Sequence, residues 1–437
     1  MNPGIDTLPG LSAAVSLKAL FCFALAGGSL ILLRLFQDRL WELRALRYGV
    51  VIGIAAKFLI AVWLYGVLHP VTLNSDATLY YLPQTDAFLK GAIPNRDFAS
   101  SYSILFLPLL SPAVWLWHSV GAIALTMLVL ETLTLRLYLG ATGSAPALYR
   151  WRAALLYTFS PISFYWAAVS GHNGVVIAFF TMTALVLANR GGIRFAGVAA
   201  ALSFLCSKLL ALLSWPAIVF WNVRGWRKAI LAPVAALAVM AVLPLFGIDV
   251  LMPLKHEFDA HTSGNLWFLA SVIFPRLRHT PVWLLLPLLT FVPFFLMFFR
   301  RYVTGNDRLD SSSRFNAAAA MIAGTNLLFM IFSHKSYSFY TTMFLVFLVH
   351  SLVGRAPCRW LTLIPLAFLG ATTTLEGALW LALRATNYHL GQPMTRILFS
   401  LDAAIIACYL YYVAICWKLL RPERIRDTQT VDAPQES

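Results

Sequence analysis

Residues 229–248 read AILAPVAALAVMAVLPLFGI and contain no charged side chain. Arg227 and Lys228 precede this stretch, and Asp249 follows it. About twenty apolar residues in a helix are long enough to cross the hydrocarbon core of a bilayer. The stretch therefore predicts a transmembrane helix with charged residues at both ends.

Similar apolar stretches recur along the whole chain of 437 residues. Charged residues make up only 12% of the sequence, whereas a soluble domain carries roughly 25%. Predicted spans lie near 15–35, 48–68, 103–138, 153–170, 174–189, 195–208, 210–222, 229–248, 281–300, 315–333, 337–353, 360–384 and 396–418. This pattern predicts an all-α polytopic membrane protein of about 11–13 transmembrane helices. We expect one transmembrane domain over residues 1–420 and a disordered cytoplasmic tail over 421–437.

The net charge of +15 is explained by membrane topology, so no nucleic-acid partner is expected. Lys and Arg gather in alternate connections between spans, and the positive-inside rule assigns those connections to the cytoplasm. The basic connections are Arg39–Arg47, Arg150–Arg152, Arg190–Arg194, Arg224–Lys228, Arg300–Arg314, Arg355–Arg359 and Arg421–Arg426. Five scattered cysteines (Cys22, Cys206, Cys358, Cys408 and Cys416) have no paired spacing, which predicts neither a disulfide nor a metal framework.

The longest external connection, residues 70–102, is the richest in chemistry. It contains Asn74, Ser75, Asp76, Tyr80, Tyr81, Gly91, Pro94, Arg96 and Asp97. Asn74 or Ser75 can cap a short helix that ends at Gly91, and this helix is expected to lie at the membrane surface. Asp76 falls in its first turn, with Tyr80 one turn later on the same face. The simpler alternative is that Asp76 only caps a surface helix.

The other external connections are short but polar. Gly171-His172-Asn173 and His334-Lys335-Ser336 are bare turns between predicted spans, and Lys208 falls at the turn of a predicted hairpin. Each could be an ordinary side chain that reaches the membrane interface. Because all of them share one membrane face with Asp76, we instead expect them to form a site together.

In their order along the chain, these segments resemble GT-C glycosyltransferases, over roughly residues 48–350. The first external connection is similar to that of the bacterial polyprenyl-phosphate-mannose-dependent mannosyltransferases (PimE-like) and of the GPI mannosyltransferase PIG-M. Ser160-Pro161 followed by Gly171-His172-Asn173 resembles their Ser-Pro…Gly-Gln-Asn-Asp stretch. Lys208, and then His334-Lys335, match in kind and order. One departure is Gly174, where many of these enzymes carry an acid.

The resemblance implies a GT-C-type bundle that transfers a hexose, mannose first of all, from a polyprenyl-phosphate donor to a lipid or glycan acceptor. Transfer would invert the sugar, with Asp76 as the general base. The implied substrate-binding residues are Tyr80, Arg96, Asp97, His172, Asn173, Lys208, His334 and Lys335. Neither a cofactor nor a metal is implied, and Asp97 could instead form a structural ion pair with Arg96. The implied location is the bacterial inner membrane, among membrane lipids, with the site facing the periplasm.

Two other functions stay open from the sequence. A transporter or flippase of a lipid-linked sugar would carry polar groups near the bilayer midplane. Only Lys57 and Glu131 are predicted to lie deep, and a tilted helix or a helix–helix pair could accommodate both. An O-antigen polymerase or ligase would share the large first external connection but usually has a large late one, which this chain lacks.

Overall fold

A computed structural model describes residues 8–37, 43–68, 75–259, 261–280, 282–306, 309–353, 360–384 and 388–420. Every regular element in these ranges is a helix. Asn74, Cys358 and the predicted tail 421–437 lie outside the described residues. The prediction of an all-α polytopic membrane protein is confirmed.

The first half of the chain contains α1 (Leu8–Gln37), α2 (Leu43–Trp63), α3 (Leu82–Leu89), α4 (Phe106–Leu116), α5 (Val120–Ala141), α6 (Ala147–Phe159), α7 (Pro161–Ser163), α8 (Gly174–Asn189) and α9 (Ile193–Leu205). The second half contains α10 (Trp215–Val219), α11 (Trp226–Val242), α12 (Met252–Asp259), α13 (Leu266–Ile273), α14 (Val282–Asn306), α15 (Ser311–Phe332), α16 (Leu345–Val353), α17 (Trp360–Leu383) and α18 (Pro393–Leu419). Wider π-helical turns occur at Leu64–Leu68, Ala77–Tyr81 and Phe164–Val169. Tighter 3-10 helical turns occur at Leu209–Ser214, Val223–Gly225, Leu243–Phe246, Pro275–His279 and Ser338–Met343.

Seven helices in the described residues are long and apolar enough to cross a membrane. They are Leu43–Leu68, Val120–Ala141, Val223–Phe246, Leu285–Thr304, Ser312–Phe332, Trp360–Leu383 and Pro393–Leu419. An eighth would be the pair Pro161–Val169 and Gly174–Asn189, which is bent by 112°. The sequence predicted about 11–13 spans, and the difference lies in apolar stretches that form shorter helices, such as Phe106–Leu116 and Ile193–Leu205.

The centre of the bundle is α15, whose spanning part is the most buried of the seven. Its buried positions include Ala317, Ala318, Ala319, Ala320 and Ala323. Small side chains let neighbouring helices approach closely, and α14, α16 and α18 pack against this helix. The spans Val223–Phe246 and Leu285–Thr304 are the least buried, as expected for lipid-facing helices.

A buried ion pair joins the first half of the bundle. Lys57 Nζ on α2 lies 3.0 Å from Glu131 Oε2 on α5, and both side chains are buried. Ser163 on α7 hydrogen-bonds to both residues. Of the two alternatives that the sequence left open for these charges, the structure shows the helix–helix pair. The pair also anchors α7, which leads into the bend that carries His172.

Candidate functional site

Asp76 does not cap the helix that it begins. Ser75 Oγ accepts a hydrogen bond from the Thr78 amide at 3.4 Å, while Asp76 makes no capping bond. The Asp76 side chain is 28% exposed, and its Oδ2 lies 3.5 Å from His172 Nε2. The capping alternative is therefore wrong, and the carboxylate is directed to the bend between α7 and α8.

The tautomer of His172 follows from its second ring nitrogen. The Gly174 amide donates to His172 Nδ1 at 3.2 Å, so Nδ1 acts as the acceptor. The proton of the neutral ring is then on Nε2, the nitrogen that faces Asp76. The ring is 2% exposed and packs on Phe339 with centroids 4.0 Å apart. His172 Nε2–H thereby faces the Asp76 carboxylate at ion-pair distance.

The bend that positions His172 depends on the preceding glycine, Gly171. Gly171 has φ +63°, and a Cβ there would lie 3.3 Å from the backbone of Ala124 on α5. A side chain at this position would meet both the strained backbone region and α5. The close approach therefore holds the bend against α5 and fixes the height of His172 in the bundle.

Tyr81, rather than the predicted Tyr80, is the tyrosine beside Asp76. The turn Ala77–Tyr81 is π-helical, so residues five apart are stacked where an α-helix stacks residues four apart. Tyr80 is 49% exposed, whereas Tyr81 is fully buried and packs edge-on against Tyr102 with centroids 5.0 Å apart. Burial and neighbouring negative charge, including that of Asp76, hold the pKa of Tyr81 and Tyr102 well above the ordinary value. Both hydroxyls are neutral donors at any physiological pH.

Lys208 enters the site from the connection after α9. It is 8% exposed, and its Nζ lies 4.9 Å from the ring centre of Tyr102 and 5.7 Å from that of Tyr340. No acceptor among the described residues hydrogen-bonds to its ammonium group. The Ser103 amide donates to the Ser207 carbonyl at 3.0 Å, which ties the first external connection to the Lys208 turn.

His334 and Lys335 follow α15 and are nearly buried. The Ser333 hydroxyl accepts from the Lys335 amide and donates to its carbonyl, which closes the turn. Lys335 Nζ lies 6.0 Å from the ring centre of Tyr337 and close enough to Asp76 to act on its charge. The His334 ring instead packs near that of His261, with centroids 5.2 Å apart.

The pKa of Asp76 reflects burial and its charged neighbours together. Burial by itself raises the pKa of Asp76, but the adjacent His172 and the positive charges of Lys208 and Lys335 outweigh burial. The pKa therefore lies below its ordinary value, and the carboxylate is ionised at neutral pH. This site, called the Asp76 pocket below, places an anionic oxygen within electrostatic reach of two cations.

Arg96 and Asp97 lie outside this pocket. They pair with each other on the surface, with Arg96 Nη2 2.9 Å from Asp97 Oδ2. Asp97 also accepts a hydrogen bond from the Ile93 amide at 2.7 Å, so it stabilises its own turn. The alternative of a structural ion pair, raised from the sequence, describes these two residues.

A donor on the pocket wall has no partner. Asn173 is 1% exposed, and its Nδ2 donates to no acceptor within the described part of the chain. One carboxylate, one imidazole and two ammonium groups suit an anionic ligand better than a metal cation. In the described ranges, no three His, Cys, Asp or Glu side chains are grouped as metal ligands.

Sequence reasoning missed two further acids. Glu376 lies in the span Trp360–Leu383 and Asp402 in the span Pro393–Leu419, and both are buried. The expectation that only Lys57 and Glu131 lie deep is therefore wrong. The available signal was an acidic residue in the middle of an otherwise apolar window, which is rare without a role.

Comparison with known proteins gives no relative from which to transfer a role to Asp76 or to Lys208. No protein-family model and no curated protein sequence matches the chain.

Proposed function

We propose that the protein is a membrane glycosyltransferase of the GT-C type, which uses a polyprenyl-phosphate sugar as its donor. The observation that carries the proposal is the ionised Asp76 carboxylate, held against His172 with Lys208 and Lys335 nearby. Transfer from a phosphate-linked sugar needs a base for the acceptor and cations for the leaving phosphate. This pocket holds both.

In the proposed reaction, Asp76 accepts the proton of the acceptor hydroxyl. The hydroxyl oxygen forms a bond to the anomeric carbon as the bond between that carbon and the phosphate oxygen breaks. Attack from the face opposite the leaving phosphate inverts the anomeric configuration. His172 Nε2 faces Asp76 Oδ2, so in this reaction Oδ1 is the oxygen that takes the proton of the acceptor.

The lysines stabilise the leaving group. Negative charge accumulates on the phosphate as the sugar departs, and buried ammonium groups stabilise such charge more strongly than exposed ones. Lys208 lies over the rings of Tyr102 and Tyr340 and hydrogen-bonds to no acceptor in the described ranges, so its charge is available to a phosphate. The unpaired Nδ2 of Asn173 can donate to the sugar or to the phosphate.

The remaining details of the proposal follow the resemblance. The sugar is a hexose, mannose first, and the acceptor is a lipid or a glycan. The protein acts in the bacterial inner membrane with its site toward the periplasm. Tyr80, which is half exposed, and Arg96, which pairs with Asp97 on the surface, bind substrate only if it extends beyond the pocket. His334 contributes from its position beside His261.

The test is to incubate purified protein with a panel of radiolabelled polyprenyl-phosphate sugars and an extract of membrane lipids and glycans. We expect one donor to yield a labelled product, and Asp76→Asn to yield none. Absence of transfer and of donor hydrolysis with every sugar, by protein shown to be folded, would overturn the proposal.

A transporter of a lipid-linked sugar is the second candidate. The buried Glu376 and Asp402 favour it, because acids within spans are typical of transport pathways. Reconstitution in liposomes separates the two functions. Saturable movement of a lipid-linked sugar across the bilayer, with no new bond made, supports the transporter.

A further inference from the structure

Two buried carboxylates meet at one dipeptide, far along the chain from Asp76. Ser263 donates a hydrogen bond to Glu376 Oε1. The next residue, Gly264, donates its amide to Asp402 Oδ2 at 2.8 Å. Glu376 is 2% exposed and Asp402 is 0% exposed. The acids come from α17 and α18, so the contact joins two membrane spans through one loop.

The groups around this acid pair are neutral. Ser338 lies beside Glu376, and Tyr409 on α18 faces both acids. From α1, Cys22 accepts a hydrogen bond from Thr374, two residues before Glu376. Within the described ranges, no Lys, Arg or His nitrogen lies within ion-pair distance of either carboxylate.

One oxygen of the pair has no partner. Asp402 Oδ1 is shielded from solvent and accepts no hydrogen bond from any described residue. A buried carboxylate oxygen without a donor is costly, and two adjacent anions without a cation cost more. A proton or another positive group bound at this oxygen would remove that cost.

We propose that Glu376 and Asp402 bind one proton between them at neutral pH. Like charges at close range in a low-dielectric interior cannot both persist, so such a pair retains a proton. A proton fits better than a metal ion, because the Gly264 amide and the Ser263 hydroxyl direct their hydrogens at the pair. A proton on Asp402 Oδ1 neutralises the oxygen that lacks a donor.

The proton also affects the turn after α15 that carries Lys335. Thr262, next to Ser263, accepts a hydrogen bond from the Ser336 amide at 2.8 Å and donates to the Ser336 carbonyl at 2.9 Å. The same loop thus holds the turn that carries Lys335. Loss of the proton would place two repelling anions under this loop. Any effect on the donor rests on the proposed function, whereas proton binding does not.

The test compares wild type with Glu376→Gln and Asp402→Asn, whose amides imitate a protonated acid. Reversible unfolding in detergent is measured across pH. Because the folded state binds the extra proton, wild-type stability falls as pH rises, by up to about a tenfold change in the unfolding equilibrium constant per pH unit. Either amide should remove most of this slope. Asp86→Asn, which replaces a partly exposed acid that pairs with Lys90, should keep this slope.

Two results would overturn the proposal. One is a pH slope unchanged by both amides. The other is saturable stabilisation of wild type, and not of the amides, by Na⁺, Mg²⁺ or Ca²⁺, which would assign the pair to a metal ion. If neither amide folds, infrared spectra of wild type decide the matter. A protonated carboxyl band at neutral pH that shifts in Glu376→Asp supports a bound proton, and its absence refutes it. None of these measurements needs sugar transfer, so this proposal and the proposed function can fail separately.

Discussion

At the scale of single residues, Asp76 is both largely enclosed and ionised. Enclosure alone would favour the protonated acid, and a protonated acid cannot act as a base. The lysines and His172 reverse this preference. The charges in the site therefore stabilise one another. The cations keep the Asp76 carboxylate ionised, and the carboxylate balances their charge when no substrate is bound.

Replacement of Asp76 by Asn tests its role as the base. We expect transfer to fall by about 10²- to 10⁴-fold, the usual contribution of a general base, with the protein still folded. The measurement is the initial rate with saturating donor. Asp86→Asn is the matched control, because Asp86 lies on the same helical segment, is half-buried like Asp76 and pairs with Lys90 instead of with the site. Equal rates for the two variants would remove Asp76 from the mechanism.

Replacement of Lys208 by Met tests the charge beside the base. The pKa of Asp76 is lowered in part by Lys208, so the active carboxylate is lost only at acidic pH in wild type. Without this charge the pKa rises, and the acidic limb of the rate profile should move toward neutral pH. The KM for the donor should also rise, by about 10- to 100-fold, if Lys208 binds the phosphate.

The control for Lys208 is Lys90→Met, which removes an exposed lysine from the helix that follows Asp76. It should change neither the acidic limb nor the donor KM. A shifted limb with an unchanged donor KM would leave Lys208 as an electrostatic neighbour and assign the phosphate elsewhere.

The residues that share the site were largely predictable from the sequence, but the directions of their side chains were not. The sequence predicted that Asp76, His172, Lys208 and Lys335 share a site, and the structure brings these four together. It favoured Tyr80 because α-helical spacing was assumed, and no short pattern distinguishes a π-helical turn from an α-helical one. Tyr102 and Tyr340 were missed since their contacts with Lys208 join distant parts of the chain.

At the scale of elements, the site is made where helices break. His172 follows a bend, Lys208 follows the end of α9, and Lys335 follows the end of α15. A continuous helix satisfies its own backbone groups, while a break exposes them and turns side chains inward. Pro and Gly marked some of these breaks in the sequence, but their angles depend on packing against other helices.

Gly171→Ala tests the bend between α7 and α8. The new Cβ would meet the backbone of Ala124 and would hold a positive φ, so we expect a loss of stability and a slower transfer rate as His172 is displaced. Gly191→Ala is the matched control, since Gly191 also has a positive φ, +82°, but nothing within 4 Å of a Cβ. It should lose only about 1–2 kcal/mol and keep its activity. Thermal unfolding and the rate per folded protein are the two measurements.

At the scale of the whole molecule, composition was enough to predict the membrane bundle. The number of spans was harder to predict, because hydropathy identifies apolar stretches but does not show whether a stretch forms one long helix or a shorter one. The stretch 103–138 shows the difficulty, since it forms Phe106–Leu116 and Val120–Ala141 with a break between them. Glu376 and Asp402 were overlooked for the same reason: a long apolar window averages away a single acid.

The positive-inside rule makes a prediction about the whole molecule that can be measured directly. The Asp76 pocket should open to the side opposite the basic connections. Lys90, whose side chain is 73% exposed, is close to the pocket in sequence, and Lys228 is exposed in the first turn of α11, at its basic end. In intact cells, a membrane-impermeant maleimide should label Lys90→Cys, and it should label Lys228→Cys only after permeabilisation. Wild type gives the background of the native cysteines. The reverse pattern would put Asp76 in the cytoplasm, where a periplasmic transfer reaction has no place.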